Sequence, residues 1–296
     1  MSDLSSVRCA LALAATLLAL ASGCDEPVDQ RGGAAKTGAT KTGAEKTGAE
    51  QRAPGDASSA GAAGAPADDA RRRRGAYQVV EVRDGGTIRV VAKYTGDALV
   101  APAAISVSAD VAHCGGKVFA QDLVVDPATK TLANVVVRLE DVAAGKAPAA
   151  DLLVTNRDCS FDPHVSVAMS GAKLKARNVD PISHTTHPYY ENGSFFNWPF
   201  GSASAEAPAE FPGKKIERLG VITMRCDVHS WMNAFIVVHD NPYIEVTNVA
   251  GTLSLDQVPP GTYPWTAWHE TLGQQKGKIT VTSGGTSELT LEFAPR

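Results

Sequence analysis

The chain of 296 residues has no large excess of charge: 28 basic against 32 acidic side chains leave a net charge of −4. So even a balance gives an ordinary solubility charge and no general attraction to nucleic acid or to an anionic membrane. Aromatic residues are few, at 6%, whereas glycine and proline are frequent, with 27 and 17 copies. No glycine-rich phosphate cradle stands out, nor any serine or cysteine set beside a base as a nucleophile. The sequence therefore offers no enzyme signature and no evident small-molecule substrate. Its early apolar run, residues 9–23 (CALALAATLLALASG), is too short to span a bilayer comfortably, for which about 20 residues are needed.

That run does have the length of a signal-peptide core, and small residues follow it. It ends Leu20-Ala21-Ser22-Gly23-Cys24, which resembles the lipobox of bacterial lipoproteins. The resemblance implies a signal peptide over 1–23, lipidation at Cys24, and export to the periplasm or cell envelope with a lipid anchor in a membrane. A plain cleaved signal is the alternative. Residues 24–75 have no apolar periodicity and carry the quasi-repeat AKTGATKTGAEKTGAE, then APGDASSAGAAGAPADDA. Such a composition buries too little apolar area to offset chain entropy, so a flexible linker is expected.

From residue 76 onward the pattern changes to short alternating runs. YQVVEV, TIRVVAKY, AISVSA and LANVVVRLE have the valine and threonine content and the period of β-strands, with Asp84-Gly85-Gly86 as a turn. The fold class expected is all-β.

The chemistry concentrates in residues 224–232, MRCDVHSWM. Cys226, His229 and Met232 place a thiol, an imidazole and a thioether at the spacing Cys-x-x-His-x-x-Met. Thiolate and thioether are soft donors suited to Cu(I), and imidazole suits both oxidation states of copper. A second histidine is needed from upstream, where His184 and His187 are the candidates. Residues 161–167 read FDPHVSV, and a glycine turn at Gly171, Asn178, Asp180 and His184 follow. The sequence from about Leu152 to His239 resembles the cupredoxins, the plastocyanin and amicyanin group, and the short His-to-Met interval is similar to amicyanin. The resemblance implies a Greek-key β-sandwich with one mononuclear type 1 (blue) copper held by His184, Cys226, His229 and Met232. His187 is the alternative upstream ligand. Thr185 stands where an asparagine usually follows the ligand, which leaves the tie between the two ligand loops open. Histidine does not flank Cys226, and the ligand loop has a single cysteine. Both facts argue against a multicopper oxidase, a copper nitrite reductase or a binuclear copper centre.

Of the remaining cysteines, Cys114 and Cys159 are expected to form a disulfide, which an exported protein permits. The rival is a zinc site built from His113, Cys114, Cys159 and His164. Residues 241–296 contain V-T-x-x-x-G-x-L-x-L-x-x-V-P-P-G-T-Y and resemble the carboxypeptidase regulatory-like and transthyretin-like β-sandwich modules. The expected division is a signal peptide over 1–23, a lipidated linker over 24–75, a copper domain with an N-terminal strand extension over 76–240, and a small β module over 241–296. The functional expectation is an electron carrier between redox protein partners. Copper storage, delivery or sensing, and a structural or carbohydrate-binding sandwich with a vestigial site, are the alternatives.

Overall fold

The computed structural model describes residues 76–97, 101–191 and 193–296. The expected signal peptide, the lipidation site Cys24 and the linker lie outside the described residues. Among the described residues nearly all regular structure is β, and a single four-residue helix, Val111–Cys114, is the exception.

One sandwich occupies 152–239. Its first sheet runs, in spatial order, Ala209–Lys215, Lys173–Asn178, Leu152–Arg157 and Ser160–Asp162. The second runs Gly193–Ser194, His184–Tyr190, Gly220–Arg225, Asn233–His239 and Val165–Met169, with Trp198–Phe200 also pairing to His184–Tyr190. Both sheets mix parallel and antiparallel neighbours. Lys173–Asn178 lies parallel to Leu152–Arg157, and Asn233–His239 lies parallel to Val165–Met169. Strand periodicity sets the core: Ile222 and Met224 point inward and are fully buried, as are Leu174 and Ile236.

The second sandwich differs from the expected division. Gly86–Tyr94 pairs in parallel with Thr286–Phe293 over eight residues and antiparallel with Thr252–Val258. Val136–Leu139 lies between Ile244–Val246 and Gly261–His269, and Gly273–Val281 completes that sheet. Gly86–Tyr94 and Val136–Leu139 are therefore not an extension of the 152–239 sandwich. They belong with the strands of 241–296, and the boundary expected at 240 divides one sandwich into two parts. The physical reason is size. A core of fewer than about 60 residues is marginal by itself, and Ile88, Val90, Ala92, Leu132, Val137 and Leu139 pack into the same core. The 152–239 sandwich is thus an insertion between Leu139 and Ile244 of an outer sandwich built from both ends of the folded chain.

The two sandwiches share contacts at the insertion point. Val136, Val165, Val237 and Ile244 form one buried cluster, with Phe235 and Trp268 packed against it. His239 Nε2 lies 2.9 Å from the Leu139 carbonyl, and His164 Nε2 hydrogen-bonds Glu270. A strap leaves the outer sandwich before Leu132: Ala104–Ser106 pairs with Lys117–Phe119, and the short helix sits between them. A disulfide joins Cys114 on that strap to Cys159 of the inserted sandwich.

Candidate metal centre

The strand Gly220–Arg225 ends one residue before Cys226, and Asn233–His239 starts one residue after Met232. The intervening loop closes on itself, with Cys226 N–H to the Met232 carbonyl at 3.3 Å and Met232 N–H to the His229 carbonyl at 3.0 Å. This turn carries Cys226 and His229 to the same end of the sandwich. His184 arrives there as the first residue of His184–Tyr190, whose residue His187 lies opposite Arg225.

Three donors converge. His184 Nδ1 and His229 Nδ1 are 3.0 Å apart, and each lies 3.9 Å from Cys226 Sγ. His229 has no exposed surface, His184 has 1% and Cys226 has 4%. Met232 is buried in the same apolar cluster as Cys226. The outer nitrogen of each imidazole meets a carboxylate: His184 Nε2 lies 2.9 Å from Asp180 Oδ2, and His229 Nε2 lies 2.8 Å from Asp110 Oδ2. An ionised carboxylate only accepts, so each Nε2 carries the proton and each Nδ1 turns a lone pair inward. Two imidazole nitrogens and a sulfur thus face one another as three convergent donors for a cation.

The triangle's edges of 3.0 and 3.9 Å leave room for a cation bonded at about 2.0 Å to nitrogen and about 2.3 Å to sulfur. Two imidazoles and one thiolate are donors that copper takes in both oxidation states, and the residues present fit it.

The electrostatics favour a thiolate. Burial pushes the Cys226 thiol up, but His184, the Thr185 N–H and the N–H groups of His229 and Val228 outweigh it and bring the pKa to about 6. Burial also opposes charge on Asp180, yet hydrogen bonds from His184 and from the N–H groups of Cys159 and Asp158 hold its carboxyl well below the usual carboxylate range. His184 shows the converse: burial lowers it, and the bonds to Asp180 and Cys226 raise it further.

Thr185 provides the tie that an asparagine was expected to make. Its N–H lies 3.3 Å from Cys226 Sγ, and its hydroxyl accepts the Asp227 N–H at 2.6 Å. His187, the alternative ligand, is not with the other donors. Its Nδ1 lies 3.0 Å from both Asp227 carboxylate oxygens and its Nε2 lies 2.9 Å from Ser194 Oγ. The zinc alternative also fails. Cys114 and Cys159 are joined in the disulfide, so neither offers a thiolate, and His164 bonds Glu270. His113, Cys159 and Asp180 do cluster, but the sulfur there is committed to Cys114.

Two site residues were not assigned from sequence. Asp180 was a landmark before His184, and the Asn178-x-Asp spacing was its only signal. Asn178 positions it: its Nδ2 reaches the carbonyls of Asp180, Ile182 and Gly201, and its Oδ1 accepts the Asp180 N–H at 3.1 Å. Asp110 had no signal at all.

Comparison with known proteins gives partial matches. A family model described as polysaccharide lyase family 4, domain II, matches residues 216–289. No curated protein matches the sequence. Among solved structures, a purple cupredoxin from Nitrosopumilus maritimus aligns at 19% identity over 30% of this chain and 100% of its own, with a TM-score of 0.26. Amicyanin from Paracoccus versutus aligns at 14% identity over 31% of this chain and 85% of its own, with a TM-score of 0.25. The copper-containing nitrite reductase of Thermus scotoductus SA-01 aligns at 13% identity over 32% of this chain and 24% of its own, with a TM-score of 0.26. Overlaps this loose carry no weight for the site, whose assignment rests on its donor geometry.

Proposed function

We propose that this protein is a type 1 copper protein that carries single electrons between redox protein partners, outside the cytoplasm and tethered to a membrane through Cys24. It transforms no substrate. The observation that carries this reading is the buried triangle of His184 Nδ1, His229 Nδ1 and Cys226 Sγ. Copper held there supplies a one-electron couple between its two oxidation states.

The protein's own part is to hold the donors still. Cys226 would offer a thiolate, His184 and His229 imidazole nitrogens, and Met232, buried in the same cluster as Cys226, a weak thioether. Asp180 and Asp110 fix the tautomer and orientation of the two rings, as carboxylates behind ligating histidines do. The Thr185 N–H steadies the sulfur from outside. Strand ends on both sides of the 226–232 loop limit its movement, and burial excludes water. A site that hardly rearranges between oxidation states suits transfer over storage or delivery, which need the metal to leave.

The test is reconstitution of the full chain with copper, followed by visible and electron paramagnetic resonance spectra of wild type and Cys226→Ser. A blue wild type with one copper per chain and a colourless variant are expected. A variant that keeps the wild-type spectrum removes Cys226 from the site. A colourless wild type that readily gives Cu(I) to a chelator favours delivery, and a wild type that binds no copper favours a vestigial site.

A further inference from the structure

The strap of the outer sandwich meets the metal centre at two points. Asp110 Oδ2 lies 2.8 Å from His229 Nε2, and His113 Nε2 lies 3.5 Å from Asp180 Oδ1, the carboxylate behind His184. Asp110 stands at the N-cap of the short helix, in the left-handed region with φ of 49°, and its side chain makes no capping bond. An aspartate at that position ordinarily spends its carboxylate on the first free N–H groups of the helix. Here the backbone carbonyl of Asp110 accepts from His113 and Cys114 N–H, both at 2.9 Å, as an N-cap carbonyl does, but the carboxylate turns to His229. The Cys114–Cys159 disulfide pins the strap four residues further on. Trp231 closes the same corner. Its ring stacks 4.9 Å from that of His229, and its Nε1 donates to the Cys159 carbonyl at 3.2 Å.

From this geometry we propose that Asp110 is the positioning residue for His229, so that the outer sandwich completes a metal centre whose ligands all lie in the inserted one. The proposal rests on the copper reading for its redox consequence, and on the strap geometry alone for the positioning. Behind His229, a carboxylate makes the imidazole a stronger donor. Together with the Asp180 carboxylate and the Cys226 thiolate it surrounds the site with negative charge, which favours the more highly charged oxidation state. It also covers the outer edge of His229, so a partner does not meet that ring directly.

The test compares the wild-type full chain with Asp110→Asn and Asp110→Ala, with Lys117→Ala on the same strap as a control. Asparagine keeps an acceptor and removes the charge; alanine removes both. With copper bound, the reduction potential should rise in Asp110→Asn and rise further in Asp110→Ala. Cu(II) affinity should fall about 10–100-fold in Asp110→Ala, while the Lys117→Ala values stay with wild type. Unchanged potential and affinity in both Asp110 variants overturn the proposal, including where thermal stability falls. A metal-free arm separates this outcome from failure of the copper reading. In nitrogen-15 histidine spectra of the metal-free chain, the His229 Nε2 proton should exchange slowly in wild type and fast in Asp110→Ala. Equally fast exchange in both overturns the positioning role whether or not the protein binds copper.

Discussion

The two sandwiches bury different kinds of residue and are assembled in different ways. The inserted sandwich places His184, His229, Cys226, Asp180, Asn178, Asn156 and Thr186 out of water, most of them gathered at one end. The outer sandwich buries an aliphatic core with Tyr243, Phe293 and few polar groups, of which Thr247, Thr266 and His269 are the clearest. Its strands come from both ends of the folded chain, whereas those of the inserted unit are consecutive. Buried polar side chains are costly unless each finds a partner. The inserted unit supplies partners around its ligands through Asn178, Thr185 and Asp180. The outer unit gains its stability from apolar area. One sandwich spends stability to hold chemistry, and the other frames it.

The Cys114–Cys159 disulfide is the covalent tie between these regions, so cutting it is the strongest way to separate them. The bond closes a sequence separation of 45 residues. In the chain-entropy account a loop of that length stabilises the fold by about 4 kcal/mol. Replacing both cysteines by alanine should lower the urea unfolding free energy by about that amount. The same variant should weaken metal binding, because the strap that carries Asp110 loses its anchor. A variant with the wild-type midpoint would mean that the strap is held by its other contacts alone.

Part of this comparison was legible in the sequence. Cys226, His229 and Met232 sit within one turn, so their spacing alone named them. His184 could be placed because a strand ending at Asn178, then Asp180, leads into it in the pattern of the resemblance. The disulfide followed from counting, since the other cysteines had expected roles. What could not be read were the contacts made across the chain. Nothing local in Gly86–Tyr94 names Thr286–Phe293 as its partner, because a strand pattern reports which face is buried and not which strand lies beside it. Asp110 was invisible for the same reason. It is one aspartate before four helical residues, and only the folded strap brings it to His229. Thr185 was visible but ambiguous, since its hydroxyl and N–H could make the tie without the amide expected there.

A smaller effect distinguishes the buried histidines of the two regions. Those of the site face carboxylates, but His269 lies in the outer sandwich with no exposed surface. Its Nδ1 accepts the N–H groups of Thr271 at 3.2 Å and Leu272 at 3.3 Å. Burial lowers its pKa to about 4. An unfolded histidine titrates near 6.5, so between these values the unfolded chain binds more protons than the folded one. His269 therefore contributes stability in full above about pH 6.5, and loses it as the pH falls toward 4. The loss amounts to about 3 kcal/mol over that window. His269→Asn, which keeps an acceptor for the two N–H groups and cannot titrate, should flatten this part of the stability profile. Urea unfolding at pH 7, 6, 5 and 4 measures it, and parallel profiles for the two proteins would place the acid sensitivity elsewhere.

The smallest perturbation asks whether the two sandwiches are thermodynamically separate at all. Ile88 of the outer core and Ile236 of the inserted core are both fully buried. Ile→Val removes one methylene from each, at a cost of about 1 kcal/mol. If the inserted unit could melt by itself, only Ile236→Val would shift its transition, and copper would raise that transition alone. The junction argues against this. Val165 and Val237 of the inserted sandwich share a buried cluster with Val136 and Ile244 of the outer one, and His239 bonds the Leu139 carbonyl across the boundary. Melting the inserted unit would expose one side of that cluster and leave buried polar groups unpaired. Calorimetry of the copper-bound and copper-free protein should therefore give a single transition. Both variants should lower it by similar amounts, and copper should raise it in both. Two resolved transitions, with copper acting on one, would mean that the outer sandwich is only a scaffold and that the strap alone connects it to the site.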